Sequence, residues 1–549
     1  MQPQVNPPPE RFNAAAHLLA VNAGRASKSA YIDEAQRLSY GELADRVQRC
    51  AAGWLALGLR REQRVLLVLL DSVDFPVAFL GALYAGLVPV PVNTLLTADD
   101  YAFMLQHANA QAVAVSATLL PVLRKAMAMS SPGGEGDGPV VVSGVADMLA
   151  GEVPFARLLE SAPLAAPANT AADDIAFWLY SSGSTGRPKG TVHTHANLYH
   201  TAELYGKPVL GLHEGDVAFS AAKLFFAYGL GNGLTFPLSV GATTVLMAER
   251  PTPQAVFKRW VDHGVTVFFG APTGFAGMLA APELPTRASV KLRMCSSAGE
   301  ALPRELGERF TEHFGCDIVD GLGSTEMLHI FLSNRPGEVQ YGTSGRAVPG
   351  YRLKLIGEDG AEAPSGEIGD LYVSGPTSAL MYWGQRDKSR AAFQGEWTKT
   401  GDKYSVDARG CYVYAGRSDD MLKVSGVYVS PFEVEATLMQ HAAVLECAVI
   451  GIVDADGLTK TKACVVRKAG ASVDEAELKA FVKDRLAAYK YPRFIEFVPE
   501  LPKTATGKIQ RFKLRDVERE RGDVAAAQHA AGGAAGGASG SPGAPRSDS

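Results

Sequence analysis

The chain has 549 residues, with 53 Lys and Arg against 58 Asp and Glu, for a formal net charge of −5. That balance argues against a generally basic nucleic-acid or anionic-membrane binder, though not against a local basic patch. With 47% hydrophobic and 20% charged residues, the composition is that of a globular enzyme, and the length calls for at least two domains.

The opening MQPQVNPPPERFN has neither a basic n-region nor an apolar h-region, so it does not read as a secretory signal. The apolar runs are broken by Gly, Pro or charge before they reach membrane-spanning length. In the first half, Val65–Leu70, Ala112–Val115, Val140–Val142 and Ile175–Leu179 are short apolar runs of buried-strand type. A helix-like stretch around Phe75–Ala85 lies among them, and 131–138 is a surface loop by composition. Thr243–Met247, Thr266–Phe269 and Ile318–Val319 continue the series. Short apolar runs separated by helical patterns predict an α/β fold with mostly parallel sheets covered on both faces.

From about residue 415 the character changes. A charged, turn-rich segment, GRSDDMLKVSG, reads as a hinge. It is followed by a helix at Pro431–Met439, a strand pair near Val444–Asp454 and Ala463–Val466, and a helix near Glu475–Ala487. The expected division is a large region over 1–418, a small mobile α+β domain over 419–525, and a disordered tail over 526–549. The tail is Ala, Gly and Ser of low complexity, unable to bury enough apolar surface to offset its ordering entropy. The six cysteines, Cys50, Cys295, Cys316, Cys411, Cys447 and Cys464, form no CxxC pair and no Cys/His cluster. Neither a zinc site nor a disulfide framework is expected, and a reducing, cytoplasmic setting is.

The densest chemical signal is YSSGSTGRPKG, residues 180–190, directly after an apolar run. Its glycines allow close backbone approach, and N–H groups with Ser and Thr hydroxyls can cradle phosphate oxygens, with Lys189 supplying positive charge. It is not a Walker A loop, because Pro188 precedes the lysine and Gly190 follows it. Downstream, in chain order, stand DGLGSTE (320–326), TGD (400–402), YAGRSDD (414–420) and PKTATGKIQR (502–511). His193 and His195 follow the first motif with no nucleophile pattern nearby, and read as structural or as neighbours of the site. GLGNG (229–233) imitates a dinucleotide-binding turn but lacks its third glycine spacing.

Taken together in this order, the motifs resemble those of the acyl/aryl-CoA synthetase branch of the adenylate-forming enzymes, over residues 35 to 520. The resemblance implies a carboxylate attacking the ATP α-phosphate to give acyl-AMP and pyrophosphate, followed by a thiol displacing AMP. It implies ATP, Mg2+ and coenzyme A as cofactors. Ser181, Ser182, Gly183, Ser184, Thr185 and Gly186 would line the phosphates, and Asp320, Gly321 and Leu322 the adenine. The family usually has Tyr where Leu322 stands, so an aliphatic contact replaces an aromatic one there. Thr325 would meet the α-phosphate and Glu326 hold Mg2+, in keeping with the preference of that ion for one or two carboxylates plus phosphate oxygens. Asp402 would accept hydrogen bonds from the ribose hydroxyls, and Arg417 would reach the ribose or the phosphates. Lys508 matches the catalytic lysine, which neutralises charge as carboxylate and phosphate meet. Asp419 matches the hinge, and Lys423, Ser425 and Gly426 the loop brought in for the thioester step.

The acid-binding segments are KLFFAYGLGN (223–232), CSSAGEALP (295–303) and EMLHIF (326–331). FFAYGLGN with STEMLHIF resembles the benzoate-CoA ligases of that family. Phe225 or Phe226 would then form a gate near the thiol tunnel. Ala227, Tyr228, Gly323, His329 and Ile330 would wrap an aromatic ring, with Ala298 and Gly299 at a strand end beside it. The weaker alternative for Phe225, Phe226 and Tyr228 is ordinary core packing, and His329 reads as a pocket wall, an acceptor for a para hydroxyl, or a histidine satisfied within the protein. The expected partners are a small aromatic acid, ATP and CoA, without nucleic acid or membrane, in a monomer or homodimer. The alternatives are a 4-hydroxybenzoate or other aryl-CoA ligase, or an aryl-adenylating enzyme that loads a carrier protein.

Overall fold

The computed structural model describes residues 5–130, 138–181, 188–418, 421–424, 427–453, 459–486, 490–503 and 509–521. The chain forms two compact units, Met1–Tyr414 and Ala415–Ser549. Within the larger unit, the apolar runs become strands because nothing in them can face water. Val65, Leu66, Leu67 and Val68 are all fully buried. Their strand, Arg64–Val68, lies in a five-stranded, wholly parallel sheet with Val88–Pro91, Ala110–Ser116, Val140–Ser143 and Glu152–Pro154. The helix Asp74–Tyr84 is buried almost all round, so it can only be an interior helix. A Cβ on its Gly81 would come within 2.8 Å of Cys50 Sγ, which is why the helices Tyr40–Ala56 and Asp74–Tyr84 pack so closely.

A nine-stranded sheet forms the second layer. Its six central strands are parallel, running from Ser29–Ile32 through Thr243–Val245, Val217–Ser220, Val267–Gly270 and Met294–Ser297 to Ile318–Gly323. Ile330–Ser333 and Arg346–Ala347 extend it antiparallel at one edge, and Arg37–Ser39 at the other. The predicted α/β class with parallel sheets therefore describes both large sheets. Two antiparallel sheets accompany them. One pairs Ile175–Ser181, Lys189–Thr194 and Met381–Tyr382, and the other is built around Trp397–Val406. Apolar runs cannot distinguish the two pairings, because a strand buried on both faces looks the same in either.

In the smaller unit, the helix Pro431–Met439 starts on Ser430, whose hydroxyl accepts the Glu433 N–H, with proline in its first turn. Val444–Val453 and Thr459–Arg467 pair antiparallel, and Phe494–Phe497 joins in parallel. The helix Glu475–Lys483 closes the core over Val449, Val465, Leu478 and Val482. Buried Glu435 accepts the Val449 N–H at 2.7 Å and a two-pronged pair of bonds from Arg511 at 3.0 and 2.6 Å. All six cysteines are buried and unpaired, as their spacing predicts. Among the described residues, no helix is long and apolar enough to cross a membrane. The tail predicted over 526–549 lies outside the described residues.

Candidate active site

Ile318–Gly323 and Ile330–Ser333 run antiparallel, with Gly323 opposite Ile330 and Gly321 opposite Ser333. Residues 324–329 form the tight turn between them. Met327 N–H bonds to Ser324 Oγ at 3.2 Å, Leu328 N–H to the Thr325 carbonyl at 3.1 Å, and His329 N–H to the Met327 carbonyl at 2.8 Å. Leu328 holds φ +64°, a left-handed conformation uncommon for a bulky residue. Thr325 and Glu326 therefore sit at the tip of one hairpin whose returning strand carries His329 and Ile330. The motif expected to handle phosphate and the residues expected to meet the acid share that hairpin. Gly321 and Gly323 are required by its closeness. A Cβ on Gly321 would lie 2.9 Å from Leu332 O, and one on Gly323 2.7 Å from the His329 backbone.

Three elements grip the tip. Asn197 Nδ2 donates to His193 Nδ1 at 2.9 Å, leaving His193 Nε2–H to donate to the Thr325 carbonyl at 2.8 Å. Burial pushes the His193 pKa down to about 4, so the ring is neutral, and it stacks on Phe177 at 5.3 Å. Thr377 Oγ1 donates to Met327 O at 2.8 Å, and Ala379 N–H to Glu326 O at 2.7 Å. Tyr382 OH donates to Glu326 Oε1 at 2.8 Å. Lys189 Nζ lies 3.7 Å from the same oxygen, 3.2 Å from the Tyr382 hydroxyl and 4.2 Å from the centre of its ring. The expected pair Lys189 and Glu326 is thus brought together. Thr377, Ala379 and Tyr382 have no signature of their own in the sequence. Only the pairing of Met381–Tyr382 with Lys189–Thr194 brings them here.

Ser181 pairs with Lys189 across the hairpin of Ile175–Ser181 and Lys189–Thr194. Ser182, Gly183, Ser184, Thr185 and Gly186, between those strands, lie outside the described residues, as do Asp419, Ser425, Gly426 and Lys508. Lys423 lies on the strand Leu422–Val424, its side chain outside the description. Asp320 is buried beside Ser297 on the neighbouring strand. Burial drives its carboxyl well above the usual carboxylate range, with the Ser297 hydroxyl opposing. Leu322 is half-buried in an aliphatic and aromatic cluster. In the larger unit, Asp402 is buried on Trp397–Val406, its N–H bonded to Thr400 Oγ1 at 3.1 Å. Arg417 ends the strand Tyr412–Arg417.

The segments expected to meet the acid divide between two hydrophobic clusters. Phe225, Phe226 and Ala227 belong to the first, and Tyr228, Ala298 and Ile330 to the second. The Phe225 and Phe226 rings lie 4.5 Å apart. Gly299, with φ +92°, follows the buried Ala298. His329 joins the aromatic segment to the hairpin. Its Nε2–H reaches the Tyr228 carbonyl at 3.3 Å, and its ring lies 4.5 Å from Phe236, 5.4 Å from Tyr228 and 5.5 Å from Tyr205. Burial pushes its pKa down to about 3, so it is neutral, and Nδ1 has no partner among the described residues. Tyr228 OH bonds to Ser296 Oγ at 3.1 Å. GLGNG is helical rather than a turn. It runs from the helix Ala227–Leu230 into a π-helical turn, Gly231–Thr235, where Gly231 leaves room for the His329 ring.

These donors suit a magnesium nucleotide. Among the described residues, no cluster of three or more His, Cys, Asp or Glu could hold a metal alone. Among the described residues Glu326 Oε2 takes no hydrogen bond, so it would be open to an ion that joins one or two carboxylates to phosphate oxygens.

Comparison with known proteins agrees with this geometry. The AMP-binding enzyme family matches residues 19–383, and the AMP-binding enzyme C-terminal domain matches residues 433–508. Benzoate–CoA ligase of Thauera aromatica is 58% identical over 517 residues, covering 92% of this chain and 96% of that protein. The 4-hydroxybenzoate–CoA/benzoate–CoA ligase of Rhodopseudomonas palustris is 48% identical, covering 94% and 96%. The crystal structure of a benzoate CoA ligase from Burkholderia xenovorans LB400 superposes with a TM-score of 0.86 at 60% identity, over 92% of this chain and all of that one. With these matches and the motifs in order, the chain belongs to the AMP-binding enzyme family.

Proposed function

We propose that this chain is an AMP-forming acid–thiol ligase that joins benzoate to coenzyme A using ATP. The observation that carries the reading is its likeness, over nearly its full length, to benzoate–CoA ligases. A benzoate oxygen attacks the α-phosphorus of ATP, the bond to the β-phosphate breaks and pyrophosphate leaves. The CoA sulfur then attacks the acyl carbon of benzoyl-AMP, AMP departs, and the thiol proton passes to solvent.

In this reading Ser181–Gly186 and Lys189 hold the phosphates, Thr325 meets the α-phosphate, and Asp320, Gly321 and Leu322 flank the adenine. Mg2+, when bound at Glu326, supplies neutralising charge to the phosphates. Asp402 and Arg417 take the ribose, and Lys508 steadies the charge that gathers as carboxylate meets phosphate. Residues 419–525 act as a mobile domain that turns about Asp419 between the two half-reactions and brings Lys423, Ser425 and Gly426 to the thioester step. Ala227, Tyr228, Gly323, His329 and Ile330 surround the ring, with Phe225 or Phe226 toward the thiol.

One observation favours a second reading. Among the described residues His329 Nδ1 is a buried acceptor without a partner, which a 4-hydroxybenzoate hydroxyl would satisfy. AMP release with ATP, Mg2+ and CoA, measured across benzoate, 4-hydroxybenzoate, 2-aminobenzoate, cyclohexanecarboxylate, acetate and octanoate, tests both. CoA-dependent turnover led by benzoate supports the first, and a lead for 4-hydroxybenzoate the second. An aliphatic lead overturns both, and pyrophosphate release without any thioester moves the acceptor to a carrier protein.

A further inference from the structure

We infer that Tyr382 is a positioning residue for Glu326, holding one carboxylate oxygen so that the other faces the nucleotide-bound metal. The inference rests on the ligase reading above. Three bonds from a six-residue stretch, Thr377–Tyr382, converge on two residues of the hairpin tip. Thr377 Oγ1 takes Met327 O, Ala379 N–H takes Glu326 O, and Tyr382 OH takes Glu326 Oε1. The first two fix the backbone. Only the third acts on the carboxylate, and it selects one oxygen, because among the described residues Oε2 makes no hydrogen bond.

The phenol is itself held. Tyr382 pairs with Thr191 across the antiparallel strands, which makes Lys189, two residues before Thr191, its diagonal neighbour on the same face. The lysine lies over the ring and donates to the hydroxyl, so the hydroxyl proton is left for Glu326. Tyr382 N–H bonds to Ser389 Oγ at 3.0 Å, and Phe393 packs on the ring at 5.2 Å. An unrestrained carboxylate would rotate and offer either oxygen, or turn both toward Lys189. With Tyr382 on Oε1, a metal meets one monodentate oxygen in a fixed direction, which suits an ion that demands near-octahedral geometry.

The test is Tyr382→Phe, which keeps the ring, its packing and the lysine above it and removes only the hydroxyl. Wild-type benzoate-dependent ATP–pyrophosphate exchange comes first, because its failure sinks the ligase reading and not this inference. Given that activity, the variant should weaken Mn2+ binding to the enzyme–ATP complex, read by electron paramagnetic resonance, by about tenfold, in line with losing one charge-assisted hydrogen bond. Its exchange kcat should fall by a similar factor with KM for benzoate little changed, and thioester formation from supplied benzoyl-AMP should be spared. In a Glu326→Gln background, Tyr382→Phe should have no further effect on Mn2+ binding, since its action runs through the carboxylate. Wild-type Mn2+ affinity in Tyr382→Phe, an equal loss in both half-reactions, or an additive effect in the Glu326→Gln background overturns the inference.

Discussion

The contact between Gly231 and His329 makes the most direct test of how the region proposed to bind the acid is built. Gly231 lies in the π-helical turn directly after Ala227–Leu230. A Cβ placed there would lie 2.7 Å from His329 Nε2, nearer still to Cδ2, and 3.1 Å from Phe236 Cζ. Ordinary contact begins at 3.4 Å, so the imidazole would have to retreat by about 1 Å. It has nowhere to go. The side chain is 3% exposed and enclosed by Phe236, Tyr228 and Tyr205, and its one hydrogen bond, to the Tyr228 carbonyl, lies on the side being pushed. Overpacking of this kind costs about 1–3 kcal/mol, and a strained hydrogen bond adds about 1 kcal/mol. Gly231→Ala should therefore lose about 2–4 kcal/mol of stability in urea unfolding. If His329 and Tyr228 meet the ring, kcat/KM for benzoate should fall about tenfold or more, a tenfold loss corresponding to about 1.4 kcal/mol. Adding His329→Ala empties the space the methyl needs, so the double variant should be less destabilised than the sum of the single ones. Strict additivity, or a Gly231→Ala protein with wild-type stability and turnover, would falsify this account of the packing.

Further tests address the catalytic lysine and the buried histidines. Lys508→Ala should suppress adenylate formation while sparing thioester formation from supplied benzoyl-AMP, both followed in single turnovers, and equal loss in both would remove the lysine from its proposed role. Burial holds His193 and His195 near pKa 4 and His329 near 3, against an ordinary 6.5. Each is neutral in the folded chain and takes up a proton sooner when unfolded. The stability each contributes is complete above pH 6.5 and is lost progressively below it, by about 3 kcal/mol on reaching pH 4 for His193 and for His195, and by about 5 kcal/mol on reaching pH 3 for His329. Urea midpoints should drop steeply between pH 6.5 and 4, and His193→Gln should flatten that slope, whereas a pH-independent midpoint over this window would contradict the burial argument.

How much of this was legible beforehand depends on whether a feature is local. Val65–Leu70 announced its strand because a continuous apolar run has only one place to be, and Pro431–Met439 its helix because a cap, a proline and an apolar face coincide. The chemistry-bearing motifs were legible for the same reason, since glycines, hydroxyls and a lysine within eleven residues need no partner to be noticed. What the sequence concealed is pairing. Nothing about Tyr382 marks it until Met381–Tyr382 is laid against Lys189–Thr194, and nothing about Thr377 or Ala379 until the hairpin tip is seen beside them. His193 was visible but ambiguous, because whether it donates to the Thr325 carbonyl depends on a turn more than 130 residues away. The missing third glycine spacing rightly ruled GLGNG out as a dinucleotide-binding turn, but its use was hidden: Gly231 leaves room for the His329 ring, while Gly229 and Gly233 lie against residues 222–224.

The small antiparallel sheet is what turns separate motifs into one site. The two large parallel sheets could each hold a strand-end motif, but a parallel sheet alone gives no reason for one such end to be registered on another. Ile175–Ser181 and Lys189–Thr194 bracket the segment proposed to bind phosphate, and the second of these strands supplies Lys189 at its start and His193 near its end. Its other neighbour, Met381–Tyr382, supplies the phenol and, just before it, the Ala379 N–H. Three contacts on the Thr325–Glu326 tip thus come from two adjacent strands of one three-stranded sheet, and a fourth from Ala379, just ahead of one of them. Two of those contacts go to backbone carbonyls, which every residue type supplies. The tip can then carry residues chosen for chemistry, while the sheet, through neutral His193 and a main-chain amide, holds its backbone in place. Charge enters the arrangement only at Lys189 and Glu326, where the proposed reaction needs it.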